Sequence, residues 1–179
     1  MTKLALLTAI FLTTLIGGLT QVQAERPARI AFVDTGNTGR SITAEALARA
    51  LIAKEGLAAQ VISRAVTANP YNTKPETNFA SLLLLRDIDI THHEAVQFNA
   101  NDAKFSDVIL TMTEAHKAWV IEHFPEVRDH VFTLAEYAGH AHEDVLDAFG
   151  KPLDFYQTVL AQLDPLVAEA VRKAAAVKH

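Results

Sequence analysis

An α/β fold built on a parallel sheet follows from three observations. Short apolar runs alternate along the chain with helix-length segments, the pattern of strands joined by crossover helices. The first run, Arg29–Val33, is apolar from Ile30 to Val33, as a strand covered on both faces is. Half of the 179 residues are hydrophobic, enough for one sizeable core. The expected architecture is a three-layer sandwich: a twisted, four-stranded parallel sheet with helices on both faces.

The elements are read in order. Residues 1–24 are set apart: Lys3 gives a short positive start, Leu4–Leu19 has no charge, and Val22–Gln23–Ala24 fits a small-residue cleavage site. This is the pattern of a secretory signal peptide. The apolar run falls short of the roughly 20 residues that a membrane-spanning helix needs. A single domain over 25–179 is therefore expected, periplasmic or secreted, with no stable membrane anchor once the signal is removed.

Arg29–Val33 reads as the first strand and Asp34–Arg40 as a loop. Ser41–Lys54 is a helix with Ile42, Ala46, Leu47, Ala50 and Leu51 in one stripe, closed by Gly56. Glu45 and Arg49 form an i,i+4 pair outside it. Gln60–Ser63 is a second strand and Thr67–Lys74 a loop. Pro75–Arg86 is a helix with proline at its first position. Asp107–Leu110 is a third strand, and Thr113 caps a helix over Glu114–His123. Val131–Leu134 is a fourth strand, and Glu136–Gly150 a long loop. Leu153–Val177 is helical, with Phe155, Val159, Leu163, Val167 and Ala170 on one face, and Pro165 should kink or split it.

The first loop carries the candidate chemistry. Thr35, Gly36, Asn37, Thr38, Gly39 and Ser41 suit a tight turn whose N–H groups face inward ahead of a helix, which binds anions. Arg40 adds a planar charged fork suited to phosphate. Asp34 places a negative charge at the mouth of a site built for negative charge. A phosphate or another small oxyanion, free or on a phosphorylated protein or ester, is the expected partner. A net charge of −5 without a basic patch argues against a nucleic-acid binder. The absence of cysteine excludes disulfides and every thiolate mechanism.

Val33–Asp34–Thr35–Gly36–Asn37–Thr38–Gly39–Arg40–Ser41 resembles the phosphate loop of low-molecular-weight protein tyrosine phosphatases, which usually reads Val-Cys-x-Gly-Asn-x-Cys-Arg-Ser. The resemblance continues in Ala44–Glu45–Ala46–Leu47, in Asp89–Ile90–Thr91–His92–His93 and in Ile109–Leu110–Thr111–Met112–Thr113–Glu114–Ala115–His116. It ends with Glu136–Tyr137–Ala138–Gly139 and with Asp147–Ala148–Phe149–Gly150, which is similar to the family's Asp-Pro-aromatic-Gly. The resemblance implies that Arg40 binds phosphoryl oxygens and that Asp147 is the general acid. It also implies that Asn37 braces the loop and that Ser41 hydrogen-bonds the nucleophile position, which is Asp34. Gly39 stands for the loop's second Cys, Ala148 for the Pro, and Val96 where an Arg often follows the His. No cofactor is implied.

Three readings follow. In the first, the fold is a pseudophosphatase: Asp34 folds its own carboxylate into the loop and pairs with Arg40. Two like charges about 4 Å apart repel by roughly 4 kcal/mol at an effective dielectric near 20, so a phosphate dianion is disfavoured. In the second, Asp34 is a working nucleophile with Asp147 as acid. In the third, Asp34 and Asp147 join His140, His142, Glu143 and Asp144 around a divalent cation, although a solvated polar loop explains that run more simply. A lone Asp34–Thr35–Gly36 followed by a helix does not make an aspartic protease, which needs two such triplets. His116 and His123 read as surface residues, Trp119 and Tyr137 as packing residues, and Tyr71 as a cleft wall or loop anchor.

Overall fold

The structure, a computed structural model, describes residues 26–140 and 143–177. The leader of residues 1–24 lies outside them. Strand β1 (Ala28–Asp34) pairs in parallel with β2 (Ala59–Ala65) and β3 (Val108–Thr111), and β3 pairs with β4 (Val131–Thr133). The order is β2-β1-β3-β4. Alternation along β1 sends Ile30 and Phe32 to one face and Ala31 and Val33 to the other, and all four are buried.

The face of Ile30, Phe32 and Leu110 is covered by α1 (Arg40–Glu55), α2 (Thr77–Leu84), α5 (Leu134–Ala138) and α6 (Leu153–Ala175). The opposite face is covered by α3 (Ala100–Phe105), α4 (Glu114–His123) and a 3-10 turn over Pro125–His130. The sandwich has the three layers that the alternation of elements predicts. Among the described residues no helix is long and apolar enough to cross a membrane.

Several boundaries differ from those read off the sequence. Helix α2 starts at Thr77 because Glu76, at its N-cap, is not helical, and it ends before Asp87, which turns left-handed at φ 60°. β4 stops at Thr133, whose hydroxyl accepts the Glu136 N–H while Glu136 reaches back to the Thr133 N–H. This capping box starts α5 inside what reads as strand end and loop. A second capping box, Asn99 with Asp102, starts the unexpected α3. In α1, Ala44 and Ala48 are buried and Ala50 is exposed, so the buried stripe is rotated from the one expected. Helix α6 runs unbroken through Pro165. Pro165 and Ala161, whose carbonyl loses its N–H partner, both lie on the solvent side, and Leu163, Leu166 and Val167 hold the buried side.

Candidate functional site

The strand order places the site. From β1 the chain crosses one way to β2 and then back past β1 to β3. The crevice beyond the carboxyl ends of β1 and β3 is therefore the topological switch point, where open α/β sheets bind ligands. Residues 35–39 leave β1 there, and α1 begins at Arg40. A cleft of about 260 Å³ opens over this loop, with Glu76, Asp147 and Phe149 among its walls.

Asp34 ends β1 on the side of α1 and is only 3% exposed. Its Oδ1 accepts the Asn37 N–H at 2.6 Å and its Oδ2 the Ser41 N–H at 2.9 Å. Both are charge-assisted bonds, the stronger class. The N–H groups of Thr35, Gly36, Thr38 and Gly39 meet no acceptor among the described residues. The loop thus holds an anion of its own at its base and keeps further donors above it.

Arg40 does not pair with Asp34, contrary to the sequence reading. Its Nη2 donates to Asp147 Oδ2 at 3.0 Å and its Nη1 to the Val145 carbonyl at 3.2 Å. The reason is geometric: backbone N–H groups claim both Asp34 oxygens, and the guanidinium reaches past them to the loop before α6. That loop is fixed by Val145, whose N–H donates to the Met112 carbonyl at 2.9 Å, and by the buried Ala148. Two carboxylates therefore occupy the two anion-binding devices of the site, Asp34 on the N–H groups and Asp147 on the guanidinium.

Asn37 is the hub of the loop. It adopts the left-handed region at φ 56°, which Asn tolerates better than most residues. Its Nδ2 donates to Ser41 Oγ at 3.0 Å and to Ser63 Oγ at 2.8 Å, and its Oδ1 accepts the Val96 N–H at 3.0 Å. His93 Nε2 lies 2.8 Å from the Asn37 carbonyl oxygen. The Ser41 hydroxyl is thereby engaged by Asn37, so Ser41 meets residue 34 through its N–H.

His116 is 7% exposed and lies under the loop, not on the surface as its helical position suggests. Its Nε2 is 2.8 Å from Thr35 Oγ1 and its Nδ1 is 2.9 Å from Thr113 Oγ1. Thr113 Oγ1 also accepts the His116 backbone N–H at 3.2 Å, so both ring nitrogens are engaged by threonine hydroxyls that can each donate or accept. Burial, and then the nearby Arg40 charge, hold the His116 imidazolium below its ordinary range against the pull of Asp34, Asp144 and Asp147. The neutral imidazole is thus the stable form at neutral pH.

Glu76 is the residue that sequence reasoning missed. Its Oε2 accepts the Tyr156 hydroxyl at 2.6 Å, and its N–H donates to the Thr38 carbonyl at 2.8 Å. Burial raises its pKa; Asp147 and Asp34 add to the rise, while the Tyr156 bond and Arg40 oppose it. Tyr156 in turn is pushed up to about 12, chiefly by burial. A Cβ on Gly39 would collide with Glu76 Oε1, so the small residue at 39 makes room for this carboxylate.

The proposed cation ligands are not drawn together. His140 pairs with Glu169 at 3.0 Å, Asp144 accepts the Glu114 N–H, and Glu143 accepts from Gln162. His142 lies outside the described residues, among which no group of three His, Cys, Asp or Glu side chains could hold a metal. Tyr71 is 96% exposed, and the cleft wall nearby is made by Asn69 and Asn72 instead. Tyr137 packs on Phe132 and under Lys173, and Trp119 stacks on His123 at 4.0 Å.

Comparison with known proteins gives a consistent picture. The sequence pattern of the low molecular weight phosphotyrosine protein phosphatases matches residues 29–178. The chain is 36% identical to the protein-arginine-phosphatase of Bacillus subtilis over 144 residues, which is 80% of this chain and 95% of that protein. It is 35% identical to the low molecular weight protein-tyrosine-phosphatase PtpB of Staphylococcus aureus, over 78% of this chain and 94% of that protein. Among solved structures, a YwlE mutant from Bacillus subtilis superposes with a TM-score of 0.77 at 36% identity, covering 82% of this chain and 97% of that one. A low molecular weight protein tyrosine phosphatase from T. tengcongensis gives 0.77 at 32% identity, covering 82% and 99%.

Proposed function

The chain belongs to the low molecular weight phosphotyrosine protein phosphatase family, and we propose that it is a catalytically silent, exported member that binds an oxyanion weakly. The observation that carries this reading is the Asp34 carboxylate, seated at the nucleophile position with both oxygens held by loop N–H groups at 2.6 and 2.9 Å. A carboxylate so held gives one lone pair of each oxygen to a donor, which stabilises it as a bound anion and weakens it as a nucleophile. Arg40, the cation that would balance a phosphoryl group, is paired with Asp147. The N–H groups left over remain as donors for a weakly held ligand. By kinship with relatives named for phosphoarginine and phosphotyrosine chemistry, that ligand is inorganic phosphate or a phosphorylated protein side chain.

The test is hydrolysis of phenyl phosphate by the purified protein, with and without Mg²⁺. The expected result is no phenol release above the buffer blank in either condition. Turnover that disappears in Asp34→Asn would overturn the reading in favour of Asp34 attack on phosphorus, with Asp147 protonating the departing phenoxide.

Export rests on the leader sequence. A reactive, low-pKa thiolate in an oxidising compartment is subject to oxidation or capture as a disulfide, and a cysteine-free loop avoids both. Mass spectrometry of the protein recovered from its host should give a mature N-terminus near Glu25. A polypeptide beginning at Met1 or Thr2 would count against export with signal removal.

A further inference from the structure

The cleft sets donors without acceptors beside an acceptor without a donor. The donors are the N–H groups of the loop. The acceptor is Glu76 Oε1: its sister oxygen takes the Tyr156 hydroxyl, while Oε1 lies against Gly39 and accepts no hydrogen bond among the described residues. Glu76 is held at both ends, by its backbone N–H on the Thr38 carbonyl and by Tyr156 on its carboxylate. It is thus a positioned part of the cleft wall and not a loose surface acid.

We propose that Glu76 is a specificity-determining residue of this cleft, selecting a tetrahedral oxyanion that still carries a proton, such as inorganic phosphate, over fully ionised sulfate. The proposal rests on the reading of a silent oxyanion cleft. Sulfate offers only acceptors. It satisfies the loop N–H groups but sets its lone pairs against Glu76 Oε1, where two acceptors repel. Protonated phosphate satisfies both sides: its ionised oxygens take the N–H groups and its P–O–H donates to Oε1. One hydrogen bond to a charged group corresponds to about tenfold or more in affinity.

The charged and titratable groups facing Glu76 are Tyr156 from α6, Asp147 from the loop before it, Asp34 from β1 and Arg40 from α1. Two of the four are carboxylates, one is a neutral phenol and one a cation already paired with Asp147, so a ligand of low charge suits the cleft best. On the acid side Glu76 takes its own proton, becomes a donor, and the discrimination should vanish.

The experiment is a titration of the purified protein with inorganic phosphate and with sulfate near neutral pH, followed by the amide resonances of the loop. The wild type should prefer phosphate by about tenfold or more. Glu76→Gln, whose amide can donate to sulfate while still meeting Tyr156, should bring the ratio to about one. Glu76→Ala, which removes the acceptor altogether, should do the same, so a local rearrangement in one variant cannot mimic the result. Equal binding of the two ions by the wild type, binding of neither, or a preference that survives in both variants would overturn the proposal. Phenyl phosphate turnover would instead overturn the silent reading and leave the ion ratio as the measure of Glu76.

Discussion

Asp34→Ser should raise the affinity for inorganic phosphate by up to about a thousandfold at low ionic strength, measured by titration calorimetry near neutral pH. The estimate is the roughly 4 kcal/mol by which a carboxylate repels a second anion about 4 Å away at an effective dielectric near 20. Serine also releases the Asn37 and Ser41 N–H groups, which the Asp34 oxygens now occupy. Added salt should shrink the gain, because part of it is Coulombic. Asp34→Asn is the informative comparison. It removes the charge but turns an NH₂ toward one of those two N–H donors, so its gain should be smaller than that of serine. If neither variant binds phosphate more tightly than the wild type, the carboxylate is not what closes the loop to anions.

Asn37→Ala should lower stability by about 3–5 kcal/mol, read as a fall in melting temperature on the order of 10 °C. Three buried or half-buried hydrogen bonds through Oδ1 and Nδ2 would be lost, each worth about 1 kcal/mol. The left-handed backbone at φ 56° adds about 1–2 kcal/mol for a residue with a Cβ and no local compensation. Asn37→Gly separates the two causes, since glycine accepts that conformation and only the hydrogen bonds are lost. Glycine should therefore recover about 1 kcal/mol relative to alanine. Equal melting temperatures for the two would remove backbone strain from the account.

The parts of this fold that were legible in the sequence are those fixed by local chemistry. The apolar run of β1, the small and polar residues of the loop and the start of α1 each state their own conformation. Thr113 capped α4 as its type predicts. The capping boxes at Asn99 and Thr133 were equally local signals, but the second sits where a strand hands over directly to a helix, and the strand pattern masked it. The site was only half legible for a different reason. His116 meets Thr35 across 81 residues of chain, and Glu76 meets Tyr156 across 80. Neither residue carries a local mark of its partner. A histidine three positions into a helix and an acid before another are ordinary surface choices until the sheet order brings β1 and β3 side by side. The partner of Arg40 is hidden on the same account, because the spacing of Asp34 and Arg40 in one loop says nothing of Asp147 arriving from 107 residues away.

The carboxylate of Asp34 is joined to the backbone whose amides it satisfies. A group tethered in this way competes at an effective concentration that a freely diffusing ion does not reach in solution. The base of the loop therefore carries its own anion, and its shape does not wait on whether phosphate around it is scarce or abundant.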